Sequence, residues 1–210
     1  MPGLNKNIIY IFYLLLTAPL AHAGHWYLGG MGGVAYVPGN ASAVGDDGLS
    51  RTNAQYGTGY NGAVALGYES GPIRYEVDMT YLRAPLDHFD LNSVEQTETD
   101  GNSAAIANML NLYYDFNHTQ AFNPYLGVGL GYIFASADLN STEPTESSFE
   151  GSNHEFAYQA KGGLRYKLNP HLGINFEYTY LSSTTSINEL GEHFQAHLGS
   201  LGVSYHFDEI

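Results

Sequence analysis

Cysteine is absent from the chain. That excludes disulfide cross-links and the acylated cysteine of a lipoprotein, so the fold must hold through its own sheet and packing. Basic side chains are scarce: seven Lys plus Arg stand against 21 Asp plus Glu, for a net charge of −14. Nucleic acid is therefore not an expected partner, because its affinity rests on neutralising phosphates with basic residues. Long apolar runs are missing too, which excludes a membrane-spanning helix beyond the N-terminus. The mean hydropathy of −0.20 resembles that of a soluble protein. It does not exclude a transmembrane barrel, in which only alternate strand residues need be apolar.

What is abundant points to strands and turns: 18 Tyr, 25 Gly and 14% aromatic residues,. Residues 1–23 read as a signal peptide. Lys6 supplies the positive region, Ile8 to Leu16 the short apolar core, and Ala21-His22-Ala23 a small-x-small cleavage site,. An uncleaved anchor helix is the rival reading, disfavoured by the nine-residue length of that core,. One domain, residues 24–210, is expected to follow,.

Eight stretches alternate apolar and polar residues, at roughly 25–37, 58–70, 73–83, 104–116, 124–136, 154–168, 172–182 and 194–207,. The clearest runs from Ile73 to Tyr81. Ile73, Tyr75, Val77, Met79 and Tyr81 form one face; Arg74, Glu76, Asp78 and Thr80 form the other,. Most stretches exceed the about 9–11 residues with which a tilted strand crosses hydrocarbon. The connections alternate in length. Residues 38–57, 84–103, 137–153 and 183–193 are long; 71–72, 117–123 and 169–171 are short. The expected fold is all-β: an eight-stranded antiparallel up-and-down transmembrane β-barrel with four long outer loops and three short periplasmic turns,.

Alternation alone does not say which face is outside, and a soluble barrel would turn the apolar face inward. Three features favour lipid. The apolar face continues from strand to strand, the opposite face mixes charge with small residues, and the loop rhythm has no cause in a soluble barrel. The apolar face includes Tyr68 on the second stretch and Leu201, Val203, Tyr205 and Phe207 on the eighth. The glycines of the first stretch blur its faces, and a change of parity near Leu198–Leu201 suggests a β-bulge,. Charged side chains then have one tolerable place in the membrane zone, the lumen. Arg74, Lys161 and Arg165 are expected to meet Glu76, Asp78 and Glu177 there, with bound water, filling an eight-stranded interior,. A narrow ion-selecting channel through the same charges is the alternative.

The run Asn123-Pro124-Tyr125-Leu126-Gly127-Val128-Gly129-Leu130-Gly131-Tyr132 resembles the Pro-Tyr-x-Gly-x-Gly-x-Gly-Tyr strand of the outer-membrane protein A and opacity-protein superfamily of small barrels. Ala160 to Tyr166 and Asn175 to Tyr180 resemble the hairpin that follows it. The resemblance covers the mature chain in pattern and the last four strands in motif. It implies residence in the Gram-negative outer membrane, contact with lipid and lipopolysaccharide, and insertion by the barrel-assembly machinery, which reads a terminal aromatic. Tyr205 and Phe207 match that signal, although Asp208-Glu209-Ile210 follow. The resemblance implies a structural or surface-contact role through the outer loops, with a host or surface ligand. No segment resembles the peptidoglycan-binding domain of larger members.

Catalysis, cofactors and metals are not expected. Ser204 and His206 share a strand face, with Glu177 one strand away, a pattern that would suit an activated nucleophile,. Polar lumen filling is the favoured reading of them. The resemblance to lipid A deacylases stops at Ser152-Asn153-His154-Glu155, which has the wrong order. Acidic clusters at Asp87, Asp90, Glu95, Glu98 and Asp100, and at Glu143, Glu146 and Glu150, lack calcium-loop spacing,. They read as solvated loops. His193 and His197 have metal-like separation but are not expected to share a strand face,.

Overall fold

The computed structural model describes residues 24–38, 52–56, 58–91, 94–96, 99–141, 147–184 and 194–208, without side-chain placement at 52–56, 86–103 and 135–154. Among the described residues ten strands form: β1 (His25–Tyr36), β2 (Thr52–Tyr56), β3 (Gly59–Ser70), β4 (Ile73–Leu91), β5 (Val94–Gln96), β6 (Thr99–Asp115), β7 (Phe122–Ser141), β8 (Ser147–Lys167), β9 (Leu172–Ser183) and β10 (Gln195–His206). Eight of them close a cycle, β1-β3-β4-β6-β7-β8-β9-β10, because β1 pairs with β3 on one side and β10 on the other and β4 pairs with β6. Every neighbouring pair is antiparallel. Closure is what lipid demands: it offers no partner to an exposed N–H or C=O, and each orphan costs several kcal/mol.

The strands outrun the sequence boundaries at the loop end. β4 continues to Leu91, β6 starts at Thr99, and β7 and β8 stay paired out to Ser141↔Ser147. Much of the expected loops 84–103 and 137–153 is therefore strand. The remaining strands, β2 and β5, lie off the barrel, paired to the β4 extension. The reason is physical. Alternation records a lipid face, and it fades once a strand enters water although backbone pairing goes on.

The turn end is tight. Gly71 takes φ +59°, a left-handed value that costs glycine nothing, and Pro72 follows it between Ser70 and Ile73,. At 168–171, Asn169 Oδ1 accepts from the backbone N–H of His171 (2.9 Å) and Leu172 (2.8 Å), closing an Asx turn,.

Outside, an apolar belt that includes Leu66, Val77, Leu112, Val128 and Phe176 is exposed. Aromatic rings flank it. Tyr60–Tyr81 (6.3 Å) and Tyr132–Phe156 (5.7 Å) lie toward the loop end, and Tyr114–Phe116 (5.2 Å) and Tyr205–Phe207 (5.3 Å) toward the turn end. Rings at both edges suit the headgroup zone, where one side is apolar and the other wet. Tyr68 departs from its expected exposure. It shares the outward parity but is buried, with Trp26 packed edge-on at 5.3 Å.

The expected bulge in the last strand is not there. β10 keeps unbroken register with β1 and β9, and its parity is constant. Leu198 points inward because the lumen at that level is itself apolar.

Candidate functional site

The concave feature that could carry function is the lumen, and its contents divide. Toward the turn end lies a buried polar cluster. Lys161 Nζ bridges Asp78 Oδ2 (2.7 Å) and Glu177 Oε1 (3.2 Å). Arg74 Nε pairs with Asp115 Oδ2 at 2.6 Å, and Arg165 Nη1 with Glu69 Oε2 at 2.9 Å. All seven of these side chains are at most one-tenth exposed.

Tyrosines tie the ion pairs together. Tyr27 and Tyr113 both donate to Glu76, at 2.5 and 2.7 Å, and Tyr125 donates to Glu177 at 3.0 Å. The Arg74 guanidinium lies 4.2 Å from the Tyr113 ring centroid and 4.7 Å from that of Tyr125, a desolvated cation–π contact,. Asn111 and Gln159 donate to the same Asp78 Oδ2 that Lys161 engages, at 2.7 and 3.1 Å, and Thr80 donates to Oδ1 at 3.3 Å.

These rings fit because each lies across a glycine. Tyr27 pairs in register with Gly67, Tyr113 with Gly127 and Tyr125 with Gly163. A Cβ at any of the three glycines would run into the partner ring. Glycine here is a seat for an aromatic that covers its bare backbone.

The six lumen residues named from the sequence thus all point inward and are buried. Their partners differ from the expected ones. Of the expected pairings, Lys161 meets Asp78 and Glu177; Arg74 and Arg165 instead take Asp115 and Glu69, and Glu76 is held by hydroxyls. Asp115 and Glu69 carry the inward parity of their stretches, but parity does not name their partners,. The inward tyrosines did leave a signal: in Tyr113-Tyr114 only one of two neighbours can face lipid,.

Toward the loop end the lumen is mainly apolar, with the buried carboxylate of Glu155 beside it, opposite Ile133. Ala35, Val37, Leu82, Ala84, Ala105, Ala107, Met109, Ile133, Ala157, Leu181, Ala196 and Leu198 form one buried apolar cluster, with Phe194 packed against it. Ion pairs therefore do not fill the whole interior. Asn61 and Ser200, joined at 2.8 Å, and Asn61 Nδ2 on the Val34 carbonyl, also at 2.8 Å, satisfy polar groups without ions.

The catalytic arrangement is not assembled. Ser204 Oγ accepts from Asn175 Nδ2 (3.1 Å), His206 Nε2 lies 3.4 Å from Glu69, and Glu177 is committed to Lys161 and Tyr125. His197 points outward, its Nδ1 2.6 Å from the Tyr178 hydroxyl. Tyr205 and Phe207 are exposed on the outer face. Among the described residues no group of three His, Asp or Glu is placed to hold a metal. Side chains of Asp87, His88, Asp90, Glu95, Glu98, Asp100, Glu143, Glu146, Glu150, Ser152, Asn153, His154 and His193 lie outside the described residues.

Comparison with known proteins bears on both fold and place. The family model for the outer membrane protein beta-barrel domain matches residues 10–207. The outer membrane protein PagN of Salmonella typhimurium is 27% identical over 140 residues, 59% of this chain and 57% of that protein. The chain thus spans little more than half of that relative. Among solved structures, Neisserial surface protein A superposes with a TM-score of 0.56 at 20% identity, covering 87% of this chain and 97% of that one. A major outer membrane protein from Thermus thermophilus gives 0.56 at 14% identity, covering 89% and 100%. At these identities the two structures speak for the fold.

Proposed function

The chain belongs to the outer membrane protein beta-barrel domain family and sits in the Gram-negative outer membrane; from that premise we propose that it is a sealed barrel that holds contact loops at the cell surface. The observation that carries the reading is the filled lumen. A buried apolar cluster toward the loops and an ion-paired cluster toward the turns leave the barrel to act as a mount. Function then falls to the loops, which a rigid scaffold frees to vary.

Sequence gives those loops a chemistry. Residues 38–57, 84–103, 137–153 and 183–193, at the loop end, carry Asp46, Asp47, Asp87, Asp90, Glu95, Glu98, Asp100, Asp138, Glu143, Glu146, Glu150, Glu189 and Glu192, against Arg51 alone. A partner of cationic surface fits that excess through long-range attraction. Part of the same reading is that residues 1–23, outside the described residues, are removed before Gly24. Assembly is assigned to Tyr205 and Phe207, whose rings face lipid beside the end of the chain. The charged lumen residues serve to fix strand register. A lipid-modifying activity finds no support in the separate commitments of Ser204, His206 and Glu177.

The test is adhesion to cultured cells by a non-adherent Gram-negative host that displays the chain. Several-fold greater attachment is expected. It should disappear when residues 91–99 and 139–147 are replaced by Gly-Ser linkers in a barrel that still shifts on unboiled gels. Undiminished attachment by that variant would reject the reading.

A further inference from the structure

The histidines are not spread evenly. His25, His118, His171 and His206 gather at the periplasmic end, in β1, the two longer turns and the end of β10. Three of them, His25, His118 and His206, line a cavity of about 340 Å³ at that mouth together with Glu69, Lys167 and Asn169. In a chain of net charge −14, this is where cations collect.

The donors there exceed what the one carboxylate can use. Glu69 already holds Arg165 at 2.9 Å, with Lys167 at 3.7 Å. His206 is 91% buried, being 9% exposed, and its Nε2 has no hydrogen-bond partner although Glu69 Oε2 is 3.4 Å away. Lys167 Nζ donates to the His118 carbonyl at 2.6 Å, which leaves two of its three hydrogens for other acceptors,. Its side chain is 30% exposed, so a solute can reach it. An orphaned buried donor beside a reachable ammonium calls for an acceptor from outside.

We propose that this mouth is a binding site for a small oxyanion arriving from the periplasm, and that a proton on His206 tightens it. The groups facing His206 set the sign. Tyr27 of β1 stacks on its ring at 5.2 Å, Glu69 of β3 faces Nε2, and Arg165 of β8 shares that carboxylate. His171, from the turn before β9, has Nδ1 3.1 Å from the His206 carbonyl and Nε2 3.8 Å from Asp208. When His206 carries a proton, it supplies the positive charge that Glu69 otherwise draws from Lys167. Lys167 is then free for the incoming anion, and protonated His25 and His118 add to the attraction.

The probes are sulfate, whose charge is constant over this range, and formate as a carboxylate, titrated calorimetrically into the folded full chain in a maltoside micelle. Saturable binding is expected to be about tenfold tighter at pH 5.5 than at pH 7.5, a Coulombic change of ordinary size for one added charge. Lys167→Gln should weaken it about tenfold at both pH values, His206→Asn should flatten the pH dependence, and His197→Asn, at the opposite end, should change nothing. Stronger sulfate binding supports a phosphate-like ligand and stronger formate binding a carboxylate; either supports the site. Absence of saturable binding at pH 5.5, or equal affinity in Lys167→Gln with its gel shift intact, overturns it.

Discussion

In the turn-end half of the lumen, Lys161, Arg74 and Arg165 are each matched to carboxylates within 3.2 Å and wrapped by Tyr27, Tyr113 and Tyr125. In the loop-end half, Leu82, Met109, Ile133, Leu181 and Leu198 pack among alanines, with Glu155 opposite Ile133. Both halves fill the same cylinder, but they fail differently. The ionic half is a mutual arrangement. Its net contribution to stability is near zero, because desolvation offsets attraction, yet deleting one member strands another in low dielectric. The apolar half contributes in proportion to area and gives way by degrees. What the ionic half adds is register: its groups are satisfied only when β4, β6, β8 and β9 pair in this one alignment, since a one-residue slip turns every charge toward lipid.

The largest effect should come from Lys161→Met. It leaves Asp78 and Glu177 buried without their common cation, and should destabilise the barrel by about 3–5 kcal/mol,. Urea unfolding in lipid vesicles measures this. A loss under about 1 kcal/mol would mean that water reaches the cluster and the division between halves is false. Leu181→Ala, in the apolar half, should cost about 2–4 kcal/mol through the cavity it opens,.

Gly127→Ala comes next. Its Cβ would meet the Tyr113 ring, so about 1–3 kcal/mol is expected,. Pairing it with Tyr113→Ala should recover part of that loss, because the ring is gone. No recovery would show that the glycine answers to its backbone and not to the tyrosine. Smallest is Tyr113→Phe, about 1.5 kcal/mol for one hydrogen bond to a carboxylate that Tyr27 still serves,. The same unfolding assay reads both.

How far sequence reaches follows from what each residue answers to. Ile73 to Tyr81 alternates because its two sides meet lipid and lumen, so its faces are legible without coordinates. Lys161 and Asp78 are each legible as inward, but their contact is not: 83 positions separate them, and the stagger of the closed sheet brings them together. Leu198 misleads because an apolar residue in this pattern reads as lipid-facing, and only the composition of the lumen at its level says otherwise. The ends of β7 and β8 mislead in the opposite way. Beyond the membrane nothing enforces alternation, so Asn140 and Ser148 pair without leaving a periodic trace. Glu69 and Asp115 carry the inward parity of their stretches, but parity does not say that they meet Arg165 and Arg74. Parity thus carries orientation. Cross-lumen partners and water-borne strand extensions lie beyond it.

Single-channel recording tests the filled interior most directly. The purified full chain, inserted in a planar bilayer in about 1 M KCl, should give no discrete conductance steps at moderate voltage. Regular unitary openings from the unmodified chain would contradict the account, because a continuous water path cannot coexist with a closed apolar cluster from Ala35 to Leu198.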